Sequence, residues 1–143
     1  MGEPYTADAL YPAVAQSAGR ARAWVSGRLN QLAPTHFAPE GLDLCVSELV
    51  TNAIRYAPTG YDFRVRLVVD ESLVRVEVHD FGDVWAGDGR AAAQDDEHGR
   101  GLVLVAACSD AWGVAPHPRR GKAVWCVFKS DAYAVGLAQL DAQ

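Results

Sequence analysis

Three short stretches of the chain carry side chains whose types and spacing can do chemistry. Glu48 and Asn52 stand four residues apart, so on a helix they lie one above the other on the same face. A carboxylate placed there can accept a proton from a hydroxyl or a water, and an amide oxygen is a hard ligand for Mg²⁺. Asp80, followed by Phe81 and Gly82, is a carboxylate at a strand end that can accept from the exocyclic amine of adenine. The glycine lets backbone approach a ring with no Cβ in the way. Gly99-Arg100-Gly101-Leu102 puts two glycines where a helix opens, an arrangement that can turn backbone N–H groups and the positive end of the helix dipole toward phosphates. Each stretch also has an ordinary explanation. Glu and Asn at this spacing are common on solvated faces, Asp-x-Gly is turn chemistry, and paired glycines close loops. The glycine stretch is too short for a Walker A loop and does not match the dinucleotide pattern.

The remaining candidates are weaker. His36, His79, His98 and His117 show no HExxH or other paired spacing and are expected in solvated or packed roles. No G-x-S-x-G elbow is present. Trp24, Trp112 and Trp125 are expected in the core, with Trp85 in a loop. The acids Asp83, Asp88, Asp95, Asp96 and Glu97 are most simply a solvated face. Cys45, Cys108 and Cys126 are far apart with no CxxC, which excludes a disulfide framework or a zinc site and points to buried free thiols in a reducing compartment.

These stretches need elements to hold them. Residues 39–57 have the strongest helical pattern: Leu42, Cys45, Val46, Leu49, Val50, Ala53, Ile54 and Ala57 form one apolar stripe. Glu48 and Asn52 fall at the edge of that stripe. Residues 13–33 read as a second helix, stopped at Pro34, and 34–39 as a turn. Phe63–Val69 and Leu73–His79 read as strands of an antiparallel hairpin joined by Asp70-Glu71-Ser72, which places Asp80 at a strand end. Tyr5–Tyr11 is a candidate edge strand. Residues 81–100 are rich in Gly, Asp and Ala and read as one long functional loop. A helix is expected over 101–111, a basic turn over 116–121, a strand over 123–128 and a C-terminal helix over 131–140. The order helix, helix, strand, strand, loop, helix, strand predicts a two-layer α+β fold with helices on one face of a sheet.

Composition sets the frame. The 143 residues fit one domain, which can bury about 68–70% of its unfolded surface. Half are hydrophobic and 22% charged, which excludes a disordered, collagen-like or disulfide-scaffold chain. With 13 Lys and Arg against 18 Asp and Glu, the net charge is -5; this argues against broad nucleic-acid or anionic-membrane binding. No signal-peptide pattern and no apolar run of membrane-spanning length are visible, so a cytoplasmic protein is expected.

The order of the three stretches is more specific than any of them alone. Glu-Leu-Val-Thr-Asn-Ala-Ile-Arg-Tyr-Ala (48–57), Val-Glu-Val-His-Asp-Phe-Gly (76–82) and Gly-Arg-Gly-Leu (99–102) resemble the boxes of the Bergerat-fold (GHKL) ATPase superfamily, which includes histidine kinases, gyrase B and MutL. Over roughly 12–128 the chain resembles most the small anti-sigma-factor serine/threonine kinases. The resemblance implies a two-layer sandwich with a mixed, mostly antiparallel sheet. It implies Glu48 as catalytic base and Asn52 as the Mg²⁺ ligand. It implies Asp80 with Gly82 as adenine contacts, Gly99, Arg100, Gly101 and Leu102 as phosphate contacts, and 83–98 as an ATP lid. Arg55 and Lys122 are further candidates for phosphate. ATP and Mg²⁺ are the implied ligands. The implied partners are an anti-anti-sigma protein of the STAS type, phosphorylated on serine, a sigma factor that is sequestered, and a second copy of the chain; neither nucleic acid nor membrane is contacted directly.

The chain departs from the family pattern at four places. Val84 replaces the last glycine of the second box, Tyr56 stands where His is common, Ala123 where a hydroxyl is frequent, and no basic residue precedes Gly99. Those changes keep a second reading open, a nucleotide-binding switch that holds a partner without transferring phosphate. A plain α+β interaction domain is the third.

Overall fold

The computed structural model describes residues 3–32, 39–57, 60–81, 96–118 and 120–129, with the side chains of 96–101 outside that description. In chain order the elements are β1 (Tyr5–Pro12), α1 (Ser17–Leu32), α2 (Leu42–Tyr56), β2 (Asp62–Val69), β3 (Leu73–Asp80), α3 (Asp96–Cys108), β4 (Ala111–Pro116) and β5 (Lys122–Lys129). The strands form one sheet in the order β1-β2-β3-β5-β4. The fold is the expected two-layer α+β arrangement. Every described strand pair is antiparallel, so no parallel pairing of a mixed sheet is found among the described residues.

Strict alternation explains the layers. Phe63, Val65, Leu67 and Val69 of β2 and Val74, Val76 and Val78 of β3 are buried, while Arg64, Arg66, Arg75 and Glu77 between them are not. A strand with this period buries one face only. Against that face pack Ala21, Val25 and Leu29 of α1, the stripe of α2, and Val105 of α3. All three helices therefore share one core on one side of the sheet. The β2–β3 connection is an Asx turn: Asp70 Oδ1 accepts from the backbone N–H groups of Ser72 at 2.8 Å and Leu73 at 3.0 Å. This turn locks the register that pairs Val69 with Val74.

The elements begin and end for local reasons. In α1 the first turn is tied to the preceding strand, where Ser17 Oγ donates to Pro12 O at 2.6 Å. The sequence pattern over 39–57 becomes a helix at Leu42, after Gly41 in the left-handed region at φ 83°. It ends at Tyr56 because Ala57 precedes a proline and takes an extended backbone (φ -70°, ψ 133°).

Two strands correct the sequence-based order. Tyr5–Pro12 is a full edge strand paired along β2. The helix expected over 101–111 runs instead from Asp96 to Cys108, so Gly99–Gly101 lie within it rather than opening it and 96–98 of the expected lid are helical; Ala111–Pro116 is the other edge strand. Its glycine and its terminal proline hide the alternation of Trp112 and Val114. Gly113 is required there because the Trp125 ring lies where a Cβ would stand. The turn at 34–38, the C-terminal helix over 131–140, and Gly82 with 83–95 of the expected lid lie outside the described residues.

The sheet's outer face carries the charged side chains. Arg66 Nε donates to Asp8 Oδ1 at 2.9 Å, an exposed pair worth no more than about 1 kcal/mol. Glu77 joins Arg75 at 2.7 Å to His79 Nε2 at 2.8 Å, and His79 Nδ1 lies 3.1 Å from His117 Nε2. Burial holds the His79 imidazole below its ordinary value of 6.5, outweighing the hydrogen bond that it donates to Glu77, which acts the other way. Burial would raise Glu77, but its bonds to His79 and Arg75 win and its carboxyl is lowered from 4.5. Both shifts have the same consequence. The unfolded chain takes up protons before the folded one does, so stability is full at neutral pH and is lost on acidification. Denaturant titrations at stepped pH should show stability falling as pH drops below 6.5, with the upper part of that fall removed in His79→Gln.

Candidate functional site

Glu48, Asn52 and Tyr56 repeat every four residues along α2. They form a row about 12 Å long at the 1.5 Å rise of a helix. Glu48 is half-buried and Asn52 is buried at 7% exposure, with its side-chain oxygen closed to solvent. The row ends at Tyr56, whose ring lies 4.3 Å from the Lys122 ammonium. Lys122 Nζ in turn donates to Asp80 Oδ2 at 2.8 Å, and both side chains are only 2% exposed. The acid–amide row of α2 and the carboxylate ending β3 are thus joined through one lysine.

The strands dictate this meeting. Asp80 and Lys122 are direct partners in the β3–β5 register, and both side chains point to the helix side. Lys122 is in phase with Val124, Cys126 and Phe128, the buried positions of β5. An ammonium on that face would be strongly disfavoured without a counter-charge. Asp80 supplies it, and the Tyr56 ring adds a cation–π contact. Removing one member of a buried pair costs about 3–5 kcal/mol because the other charge is left without compensation.

Gly121 closes the arrangement. It sits at φ 82°, and a Cβ there would collide with the backbone of Asp80 and Phe81. The turn is fastened where His117 N–H donates to Gly121 O at 3.0 Å. On its far side, Arg120 lies over the Tyr61 ring at 5.2 Å.

The sequence-predicted residues are placed as follows. Glu48 and Asn52 share a row of α2 with Tyr56, and Asp80 is linked to the end of that row through Lys122. Gly99, Arg100 and Gly101 lie within the first two turns of α3, their side chains outside the described residues. Leu102 is half-buried and packs on the core. Gly82 lies outside the described residues. Arg55 is exposed on α2. Lys122, a candidate phosphate contact, is instead bound to Asp80, because its position in β5 turns it inward. Ala123, expected at the place of a hydroxyl, pairs with His79 on the opposite face and does not face the carboxylate. Sequence reasoning missed the Tyr56–Lys122–Asp80 contact. One signal was available: the alternation of Lys122, Val124, Cys126 and Phe128 marks an inward lysine, which demands a buried acid.

The cysteines also meet. The Cys45 thiol on α2 is lowered by a hydrogen bond from Cys126 on β5, and the same contact, with burial, raises Cys126. All three thiols are free. No group of three or more His, Cys, Asp or Glu that could hold a metal occurs among the described residues. A magnesium ion does not require such a cage, since it is commonly held by one or two protein oxygens together with phosphates and water.

A five-stranded antiparallel sheet with its helices packed on one face is consistent with a GHKL-type ATPase domain. The match to the family of the histidine kinase-like ATPase domain covers residues 11–128, and the chain belongs to that family. Among curated proteins none matches the chain. Membership supports ATP binding and kinase- or ATPase-type chemistry. The donor set agrees with it: a buried amide oxygen for a hard cation and a carboxylate acceptor for an amine.

Gly121→Ala should lower stability by roughly 2–3 kcal/mol, from left-handed strain and the backbone collision. Chemical denaturation measures this; an unchanged midpoint would mean that the turn is not held as described.

Proposed function

We propose that the chain is an ATP-dependent protein serine/threonine kinase that regulates transcription as an anti-sigma factor. On this reading it phosphorylates a serine of an anti-anti-sigma partner of the STAS type, sequesters a sigma factor, and works as a homodimer. The observation that carries the proposal is the row Glu48–Asn52–Tyr56 running to Lys122 and Asp80. An acid and a hard oxygen ligand on one helix are linked through Tyr56 and Lys122 to the carboxylate assigned to the base. The order of the three sequence boxes supports the particular kinase class and its partners.

The chemistry follows from the residues. Asp80 accepts from the 6-amino group of adenine. Backbone N–H groups of the first turn of α3, up to Gly99, and the Arg100 guanidinium are assigned to the phosphates. Mg²⁺ held through Asn52 supplies neutralisation of phosphate charge. Glu48 takes the proton of the partner's serine hydroxyl as its oxygen bonds to the γ-phosphorus, and ADP leaves with the electrons of the broken P–O bond. Phosphoryl transfer of this kind depends on positioning and charge neutralisation more than on covalent chemistry. No helix among the described residues is long and apolar enough to cross a membrane.

One observation favours a second reading, a nucleotide-binding switch without transfer. Asp80 is already paired with Lys122 at 2.8 Å in a position closed to solvent, so a base must open that cover before it is read.

Transfer of radiolabelled phosphate from ATP to a serine-bearing STAS protein separates the two. The kinase reading predicts transfer by the wild type and a loss of at least about a hundredfold in Glu48→Ala, the scale of a general base, with ATP affinity retained. Nucleotide binding without any transfer would favour the switch, and transfer that survives Glu48→Ala would remove Glu48 from the mechanism.

A further inference from the structure

Asp80 is gripped from the outer face of the sheet as well as from the helix side. Side chains alternate along a strand, so while Asp80 points to the helices, His79 before it points to the outer face. One side chain there, His117 of the β4–β5 turn, meets both neighbours of Asp80 in the chain. Its Nε2 lies 3.1 Å from His79 Nδ1, and its ring stacks with Phe81, centroids 6.2 Å apart and planes 10° apart. We infer that His117 is a positioning residue of the nucleotide site: by holding residues 79 and 81 it fixes the backbone that aims the Asp80 carboxylate at the 6-amino group of the base. The inference rests on the reading of Asp80 as the base-binding carboxylate.

Three observations favour this role over ordinary packing on a sheet face. First, the contact between the two rings is oriented from its far end. Glu77, held by Arg75 at 2.7 Å, accepts from His79 Nε2–H at 2.8 Å. In the neutral ring this leaves the lone pair on Nδ1, and His117 Nε2–H donates to it. Second, His117 also acts through its backbone. Its N–H donates to Gly121 O at 3.0 Å, and Gly121 lies so close to Asp80 and Phe81 that a Cβ would strike their backbone. The turn thus closes on the peptide that follows Asp80, while the imidazole holds the side chains on either side of it. Third, these contacts are separate from the ion pair. Lys122 reaches Asp80 from the helix side at 2.8 Å, and it is that side chain which must move before a base is read. The His117 contacts lie on the other face and stay in place as it moves, so the carboxylate keeps its aim. An acceptor held in this way needs no reordering when the ligand arrives.

No local pattern links the two histidines, which are 38 residues apart; the pairing of β3, β5 and β4 brings them together. His117 is half-buried and outside the core cluster, so replacing it leaves the packing between helices and sheet intact.

The test is calorimetric titration of the full chain with ATP and with purine riboside triphosphate, which lacks the 6-amino group. The wild type should prefer ATP roughly ten- to a hundredfold, the scale of one hydrogen bond to a charged acceptor. In His117→Ala a misplaced carboxylate should shrink that preference to below about threefold, ATP being weakened and purine riboside triphosphate binding as before. His117→Gln keeps an N–H donor near the place of Nε2 and should prefer ATP more strongly than His117→Ala does. Equal weakening of both nucleotides in His117→Ala is the mark of a merely structural residue and overturns the inference while Asp80 keeps its role. An unchanged preference in that variant, or a Gln variant that discriminates no better than the Ala variant, overturns it as well. If His117→Ala does not fold, His117→Phe takes its place. It keeps a ring on Phe81, removes the bond to His79 and should still lower the preference; an unchanged preference there overturns the inference. A folded wild type that binds both nucleotides equally, or neither, removes the reading of Asp80 and this inference together.

Discussion

The buried ion pair between Asp80 and Lys122 organises the centre of this fold. Two charges at 2% exposure and 2.8 Å are tolerated only where each compensates the other. That requirement fixes several things at once. β3 must end where β5 begins, so the register between them has no freedom to slip. The turn before Lys122 must come close to the backbone of Asp80, which only a glycine at positive φ permits at position 121. Tyr56 must lie over the ammonium, which sets the rotation of α2 about its axis. With that rotation fixed, Asn52 and Glu48, one and two four-residue steps back, are placed on the same surface.

The rest of the domain is a support for that point. Sheet alternation delivers a single apolar face, and the three helices bury it in one continuous core. α2 is the central helix of the layer, touching α1, α3, β3 and β5. A residue row on this helix is therefore held from several sides, which suits groups that must be positioned before chemistry begins. The outer sheet face is different in kind. Its charges are spread over Asp8, Arg64, Arg66, Arg75, Glu77 and His79; the exposed Arg66–Asp8 pair adds little cohesion, and the more buried Glu77–His79 pair carries the pH dependence.

Much of this was legible in the sequence. The stripe from Leu42 to Ala53 and the alternation of β2 and β3 are strong periodic signals, and they delivered α2, the hairpin and the places of Glu48, Asn52 and Asp80. What escaped was carried by weak or long-range signals. β4 contains a glycine demanded by the Trp125 ring, a contact between strands that no local pattern encodes. The role of Lys122 depends on strand register, which decides whether a lysine after a glycine turn faces solvent, phosphate or a buried acid. Tyr56 looked like a departure from a family motif, and Lys122 like a distant cation; only the folded chain makes them neighbours. Gly82 of the adenine end lies outside the described residues, as do the side chains of the phosphate stretch Gly99–Gly101, so those contacts stay a reading of the sequence.

The central claim is that α2 and the end of β3 together form a nucleotide site whose floor is Asp80. Calorimetric titration with ATP and ADP, with and without Mg²⁺, tests it most directly when wild type and Asp80→Asn are compared and circular dichroism verifies that both are folded. The account predicts micromolar-range binding by the wild type, about -8 kcal/mol, abolished in Asp80→Asn. A folded wild type that binds neither nucleotide, or an Asp80→Asn variant that binds as the wild type does, would contradict it.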